Sequence, residues 1–321
     1  MANPPDESGS ASETDRPGAG QEGVRPGGRR VAERAGRVPL RRRPAWAWLR
    51  LLRPVAGLSL AGVGVSFAFI LAEGAPVWDE ALRVGVALFA VVAAASAMND
   101  GVDRWHDRDA HIWRPLAADL MAPRNAALLA GAFAVSAVVI GASLGGRALL
   151  PLLGGLACAG VYNLQLRSTP FSWLPLSIGF ALVPPFVAEA VGAFDNYLWW
   201  SLPVGALGGL AAHLAMKLPD YERDDVVGAQ GVMHWMTIDY AVPMSWGLMS
   251  AYLVVAVVSA NIERLRIEWV VPSASVGIVV TLAMMTWSVF GVTERKLVWQ
   301  RWLFSLAIAG MAIGWLGSIV P

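Results

Sequence analysis

Long apolar stretches alternate with short polar segments from about residue 46 to the end of the chain. Most stretches have roughly 20 residues, the length that an α-helix needs to cross about 30 Å of hydrocarbon. Because that layer offers the backbone no water, such stretches form helices. The pattern predicts an all-α, polytopic membrane protein with about nine transmembrane helices, at residues 46–72, 78–98, 124–142, 147–165, 170–192, 197–217, 239–260, 269–290 and 300–320.

The composition agrees with this pattern. Hydrophobic residues make up 56% of 321 positions, charged residues make up 15%, and the mean hydropathy is +0.51. A soluble domain carries far more charge. The net charge of +1 gives no reason to expect nucleic acid as a partner, and membrane lipids are expected instead. The single cysteine, Cys158, excludes an internal disulfide.

Residues 1–43 are rich in Gly, Pro, Ser, Glu and Arg and have no apolar periodicity. Such a composition buries too little apolar surface to fold, so it predicts a disordered, Arg-rich cytoplasmic tail before a membrane domain at 44–321. Arg50 and Arg53, just beyond the tail, would lie against anionic lipid. A signal peptide is the alternative, but the apolar stretch is too long and lacks a clear cleavage site, which favours a retained first helix.

Lysine and arginine are distributed unequally between the two sets of polar segments. With the N-terminus inside, the outer segments hold only Arg83, Arg147, Arg264 and Arg266, and the tail and inner segments hold all the others. Positive residues concentrate on the cytoplasmic side of membrane proteins. The sequence therefore predicts an integral, multi-pass protein of a bacterial cell membrane, with its N-terminus and both acidic segments described below facing the cytoplasm.

Charge outside the tail is concentrated in the segment NDGVDRWHDRDAHIWRP, which begins at Asn99 directly after an apolar stretch. On a helix, Asp100, Asp103 and Asp107 share one face, and Asn99 lies one turn before Asp103. Like charges at this spacing destabilise a helix unless a cation lies between them. Carboxylates combined with a substrate phosphate suit Mg²⁺, so the segment predicts a Mg²⁺–diphosphate site. A solvated, charged loop is the alternative.

A second acidic segment, KLPDYERDD, also follows an apolar stretch. Asp220 and Asp224 are an i, i+4 pair, and Lys217 lies on their face if the helix continues through Pro219. Two acidic segments at the ends of two apolar helices suggest opposed halves of one site, with metal ions held between the carboxylates. This pairing favours a metal–diphosphate site over a charged loop.

The first segment fits the NDxxDxxxD signature of the UbiA superfamily of intramembrane prenyltransferases. Arg114-Pro115-Leu116 falls where that family usually has Arg-Pro-Leu. The second segment resembles the family's DxExD motif, and Tyr162 to Arg167 resemble its Tyr-x-x-x-x-Lys/Arg loop. The resemblance spans roughly residues 45–320.

The chain departs from the family pattern at two places. Gln165 stands where many members have proline, and Ala118-Asp119 replaces the Ser-Gly that commonly follows Arg-Pro-Leu. Both departures lie outside the expected ligands, so neither removes one.

The resemblance implies a UbiA-like bundle whose two acidic segments face each other across a common opening. The residues that it implies as Mg²⁺ ligands, and as the groups that promote ionisation of the substrate, are Asn99, Asp103, Asp107, Asp220 and Asp224. Asp100 is expected to support them at the diphosphate.

Basic side chains near the opening would hold the departing diphosphate. The candidates are Arg167 and Lys217, followed by Arg104, Arg108 and Arg114. Each of them is alternatively an orientation signal of a cytoplasmic segment. The ring of Tyr162 would stabilise an allylic cation, with core packing as the alternative.

Together these features predict a Mg²⁺-dependent prenyltransferase that ionises an isoprenyl diphosphate and transfers the prenyl group to a hydrophobic or aromatic acceptor. A UbiA-type terpene cyclase is one alternative, because an intramolecular acceptor needs no second pocket. A non-catalytic transporter with cation-binding carboxylates is another. Carboxylates at one surface, rather than near the midplane, disfavour transport.

Overall fold

Helices make up almost all of the described chain. The structure, a computed structural model, describes residues 44–72, 78–110, 114–221 and 236–319, and no strand occurs among them. The α-helices in these ranges are α1 (Pro44–Leu51), α2 (Pro54–Leu71), α3 (Trp78–Ala110), α4 (Pro123–Ser143), α5 (Gly146–Val161), α6 (Trp173–Ala181), α7 (Val183–Ala190), α8 (Ser201–Lys217), α9 (Ile238–Ile262), α10 (Ile267–Val289) and α11 (Glu294–Gly317). A π-helical segment (Tyr162–Leu166) follows α5, and 3₁₀ segments (Asn196–Trp200 and Leu218–Asp220) flank α8.

Nine helical spans in the described ranges are long and apolar enough to cross a bilayer, so the predicted all-α, polytopic architecture is confirmed. Large apolar side chains such as Leu128, Val135 and Val139 of α4 are exposed. Such a surface is stable against lipid tails, where only the backbone needs internal hydrogen bonds. The chain is therefore an integral, multi-pass membrane protein. The predicted tail, residues 1–43, lies outside the described residues.

The helix α3 is longer than its apolar stretch. It has 33 residues, which corresponds to roughly 50 Å at 1.5 Å per residue, and the prediction that it ends near residue 98 is wrong. Hydropathy marks the extent of the hydrocarbon layer, whereas the helix continues as long as its backbone bonds continue. No proline occurs before Pro115 to stop it. The first acidic segment therefore lies on a helix as far as Ala110.

Two of the predicted spans are interrupted. The first, predicted as one helix over 46–72, divides into α1 and α2 at Arg53, whose backbone is left-handed with φ of 46°. Pro54 then begins α2, where its missing N–H costs no intrahelical bond. The fifth, predicted over 170–192, is α6 followed by α7, with Leu182 between them and Pro184 in the first turn of α7.

The helices pack around an aromatic core. The helix α3 packs against α2 and α4, α6 packs against α8, and α10 packs against α11. The largest fully buried aromatic side chains are Phe67, Phe186, Tyr252, Phe304 and Trp315. Because lipid tails are as apolar as these side chains, close packing rather than exclusion of water holds such helices together.

Glycines allow α6 and α8 to approach closely. A Cβ added at Gly209 would lie 2.7 Å from Cα of Ser177, and one added at Gly205 would lie 2.6 Å from Cα of Ala181. Both contacted atoms belong to the backbone, so neither can move without moving α6. Helix packing, which the sequence indicates for these small residues, is therefore their role.

We expect Gly209→Ala to destabilise the protein by about 1–3 kcal/mol, because the added methyl group overpacks the α6–α8 contact. Thermal unfolding in detergent measures the effect. The matched control is Gly247→Ala in α9, where an added Cβ meets nothing within 4 Å and the higher helix propensity of alanine is the main effect. Equal melting temperatures for the two variants would contradict this account of the contact.

Candidate active site

The aspartates of the first acidic segment lie on one buried face of α3. Their exposed fractions are 3% for Asp100, 1% for Asp103 and 3% for Asp107. Asn99 donates from Nδ2 to Asp103 Oδ2 at 2.7 Å. Buried carboxylates are tolerated only when cations or several donors compensate them. Cations or hydrogen-bond donors are therefore expected beside these three carboxylates.

Arg114 contacts all three carboxylates. Its Nη1 lies 2.7 Å from Asp107 Oδ2, 3.4 Å from Asp103 Oδ2 and 3.7 Å from Asp100 Oδ1. The shortest of these distances is that of a charge-assisted hydrogen bond. One guanidinium nitrogen thus lies at the centre of the acidic face.

Two further arginines reach this face from other parts of the chain. Arg53, at the junction of α1 and α2, pairs through Nη2 with Asp100 Oδ1 at 3.0 Å. Arg167, which directly follows the π-helical segment, forms an ion pair with Asp103 Oδ1. Three guanidinium groups from separate segments therefore compensate three carboxylates.

The π-helical segment holds Arg167 in position. Such widened turns within helices are frequent at functional sites. Asn163, which is buried, donates to the carbonyl oxygens of Ala159 at 2.9 Å and of Ala95 in α3 at 3.4 Å. The second of these bonds connects the segment to α3, so Arg167, which follows the segment, lies beside this helix.

The loop that carries Arg114 contains a left-handed residue. Asp119 has φ of 53°, a conformation that aspartate tolerates better than most residues. In the family pattern a glycine commonly stands at this place, so the departure from Ser-Gly keeps a residue compatible with the turn. Asp119 also pairs with Arg108 of α3 at 2.8 Å, which attaches the loop to the helix.

Other predicted diphosphate or cation-binding residues have different surroundings. The guanidinium of Arg104 lies over the ring of Trp105, 4.9 Å from its centroid, and it takes part in no ion pair among the described residues. Tyr162 is half-buried on the π-helical segment. Lys217 is the half-buried last residue of α8.

The second acidic segment lies mostly outside the described residues. The helix α8 ends at Lys217, and the chain tightens into a 3₁₀ turn over Leu218–Asp220. Between Lys217 and Asp220 the backbone therefore follows a 3₁₀ turn rather than a regular α-helix. The side chain of Asp220 and the whole of Asp224 are not described, so the opposition of the two acidic segments stays a prediction.

The donors on α3 are of the type that a hard divalent cation prefers. Asp103 and Asp107 supply buried carboxylate oxygens on one face, and Asn99 adds an amide. Among the residues that the structure describes, no group of three or more His, Cys, Asp or Glu side chains is arranged to hold a metal ion. The chemistry of α3 therefore fits half of a Mg²⁺ site, and the second acidic segment would have to supply the other half.

The longest described helix of this transmembrane bundle carries a buried acidic face that arginines compensate. The protein is therefore a polytopic membrane protein with a charged site next to an apolar interior. The family follows from the sequence: the model of the UbiA prenyltransferase family matches residues 59–309. The chain belongs to this family, which confirms the resemblance seen in its two acidic segments.

Curated relatives bear a name of the same kind. A 4-hydroxybenzoate octaprenyltransferase of Vibrio parahaemolyticus is 26% identical over 188 residues, covering 57% of this chain and 66% of the relative. One from Xylella fastidiosa is 28% identical over 192 residues, covering 58% of this chain and 64% of the relative. The chain thus spans less than two thirds of the length of these relatives.

Solved structures share the fold. A UbiA homologue from Archaeoglobus fulgidus bound to GPP and Mg²⁺ has a TM-score of 0.66 at 19% identity, covering 84% of this chain and 99% of that one. The apo structure of a UbiA homologue from Aeropyrum pernix has a TM-score of 0.63 at 18% identity, covering 81% and 97%. At these identities the likeness establishes the UbiA fold.

For Arg53, the sequence prediction missed the contact with the acidic face. Its place beside the first apolar stretch predicts a contact with lipid headgroups, whereas the structure pairs it with Asp100. A signal was present, because an arginine directly before a proline within a predicted span needs a partner or a water-filled cavity. Asp100, predicted to be only supporting, has two arginine partners.

We expect Arg53→Gln to lower the free energy of unfolding by about 1–2 kcal/mol, because it leaves the buried Asp100 with Arg114 at a longer distance. The side chain of Arg53 is 41% exposed, which limits the effect. Asp79→Asn, which weakens the exposed pair of Asp79 with Arg83, is the control and should cost less than about 1 kcal/mol. Thermal unfolding of both variants in detergent is the measurement, and an equal loss in both would contradict the assignment.

Proposed function

We propose that this protein is a Mg²⁺-dependent intramembrane prenyltransferase. It ionises an isoprenyl diphosphate and transfers the prenyl group to a hydrophobic or aromatic acceptor. The active-site opening and the N-terminus face the cytoplasm, where water-soluble prenyl diphosphates are accessible. Membership of the UbiA prenyltransferase family supports the reaction class, and the substrates are our proposal.

The observation that carries the proposal is the cluster of three buried aspartates and three arginines where α3 leaves the apolar layer. A transporter would bind its cation near the bilayer midplane. A prenyl diphosphate has a charged head and an apolar chain, and it needs charged groups next to an apolar interior. The cluster offers both signs of charge at one end of such an interior.

Mg²⁺ held at this site would supply positive charge against the charge that develops on the diphosphate as the allylic carbon–oxygen bond breaks. Asn99, Asp103 and Asp107 would hold the metal from α3, opposite Asp220 and Asp224. Arg167 and Lys217, followed by Arg104 and Arg114, would bind diphosphate oxygens. Asp100 would keep Arg53 and Arg114 in place. The ring of Tyr162 would lie near the allylic cation and exclude water.

The acceptor is best sought among neutral molecules. The sequence offers Arg53 and Arg167 for an acceptor carboxylate such as that of 4-hydroxybenzoate, and both arginines are paired with carboxylates of α3. A quinol, phenol or lipid alcohol requires no such arginine. Because the relatives are named 4-hydroxybenzoate octaprenyltransferases, an aromatic carboxylate should also be tested as an acceptor.

The first experiment measures diphosphate release by the purified protein with Mg²⁺ and geranyl, farnesyl or geranylgeranyl diphosphate, with and without a panel of acceptors. We expect release that depends on an added acceptor and yields its prenylated product. Release of diphosphate without an acceptor, together with a cyclic hydrocarbon or alcohol as product, would show that the protein is a terpene cyclase and would contradict prenyl transfer. No release with any donor would contradict the proposal.

A second experiment tests the two acidic segments. Asp103→Ala and Asp224→Ala, made separately, should each lower Mg²⁺-dependent turnover by about 100-fold or more, because electrostatic stabilisation of a developing anion contributes at least that much. Asp79→Ala is the control, since Asp79 is an exposed aspartate at the opposite end of the same helix. Unchanged turnover in a folded Asp103 or Asp224 variant would contradict a site built from both segments.

A further inference from the structure

We propose that Arg114 is an exchangeable counter-cation of the acidic face. It occupies the position between the carboxylates that a divalent cation requires, and it leaves this position when the metal binds. The inference rests on the proposed Mg²⁺ site, and it concerns how that site stays folded before loading and how it is loaded.

The geometry of one atom carries the inference. Arg114 Nη1 lies 2.7 Å from Asp107 Oδ2 and 3.4 Å from Asp103 Oδ2, and these are two of the three groups that α3 would offer to Mg²⁺. A metal bound by both carboxylates has to lie between them, within about 2.1 Å of each coordinating oxygen. The guanidinium and the metal therefore cannot hold these positions together, and their charges repel each other.

The other two arginines are placed differently. Arg53 pairs with Asp100, which is outside the proposed ligand set. Arg167 approaches Asp103 at Oδ1, whereas Arg114 uses Oδ2. The contacts of Arg114 reach both expected metal-binding carboxylates, so Arg114 is the cation that loading must displace.

The loop that carries Arg114 is built to permit this displacement. It is attached to α3 by the pair of Arg108 and Asp119, whose side chains are 43% and 74% exposed. Exposed ion pairs of this kind contribute little to stability. Leu116 and Met121 are buried against Leu51 and Ala126 and keep the base of the loop in place. The side chain of Arg114 is 23% exposed, so it can turn toward solvent while the base of the loop stays packed.

This exchange has two consequences. Without metal, Arg114 compensates carboxylates that would otherwise be buried without sufficient positive charge. With metal, the displaced guanidinium remains beside the site, where it can bind the diphosphate that accompanies the metal. Removing Arg114 should therefore weaken the metal-free protein and strengthen its binding of a divalent cation.

The test measures binding of Mn²⁺, which prefers the same oxygen ligands as Mg²⁺, to the purified protein without any diphosphate, by the loss of the electron paramagnetic resonance signal of free Mn²⁺. We expect Arg114→Gln to bind Mn²⁺ about tenfold more tightly or better than the unmodified protein. It should also show a lower melting temperature without metal and a larger rise on addition of Mg²⁺. Arg114→Lys, which keeps a shorter cation, should be intermediate.

The charge-matched control is Arg124→Gln. Arg124 is an exposed arginine at the start of α4, and its loss should leave the affinity for Mn²⁺ unchanged. A similar gain in this variant would assign the effect to general electrostatics and overturn the proposal. Unchanged or weaker Mn²⁺ binding in Arg114→Gln would overturn it as well.

A double variant with unchanged net charge tests the proposal if Arg114→Gln does not fold. Asp100→Asn with Arg114→Gln removes one charge of each sign and leaves the expected metal ligands intact. It should bind Mn²⁺ about tenfold more tightly than Asp100→Asn alone, and equal affinities would contradict the exchange.

The outcomes separate this inference from the proposed function. Tighter Mn²⁺ binding in the Arg114 variants, together with no turnover of any prenyl diphosphate by the unmodified protein, would support the exchange and contradict the prenyltransferase activity. Mg²⁺-dependent prenyl transfer, together with a Mn²⁺ affinity that stays the same in the Arg114 variants, would support the prenyltransferase activity and contradict the exchange.

Discussion

The structure depends on the cost of burying three carboxylates on one face of a membrane-embedded helix. Asp100, Asp103 and Asp107 are almost completely withdrawn from solvent, and ionised carboxylates are stable there only with cations beside them. The cations come from distant places in the sequence: the junction before α2, the loop after α3 and the end of the π-helical segment. The ion pairs of the acidic face thereby fix the positions of these three segments relative to α3.

Irregular backbone occurs where the chain brings these arginines to the acidic face. Arg53 and Asp119 have left-handed conformations, and a widened helical turn precedes Arg167. Such conformations cost free energy and persist where surrounding contacts determine them. For Arg53, the compensating contact is the ion pair with the buried Asp100. The regular helix α3 carries the three aspartates, and the irregular positions supply the cations beside them.

The remainder of the bundle keeps this site in place without a strong hydrophobic driving force. Glycines let the backbones of α6 and α8 approach within a distance that an added methyl group would prevent, and large aromatic side chains fill the centre. Membership of the UbiA prenyltransferase family and the likeness of the fold to solved UbiA homologues agree with this helical architecture.

The sequence by itself determined the helical membrane architecture, because hydrophobic stretches of bilayer length have one stable structure in lipid. It also determined that the three aspartates share a face, because helical spacing is a local property. Only the tertiary structure decided which cations compensate them. Arg53 and Asp100 are 47 positions apart, and no periodicity relates residues across such a distance. The end of α3 and the interruption at Arg53 were likewise set by backbone bonding and by long-range ion pairs, which hydropathy does not record.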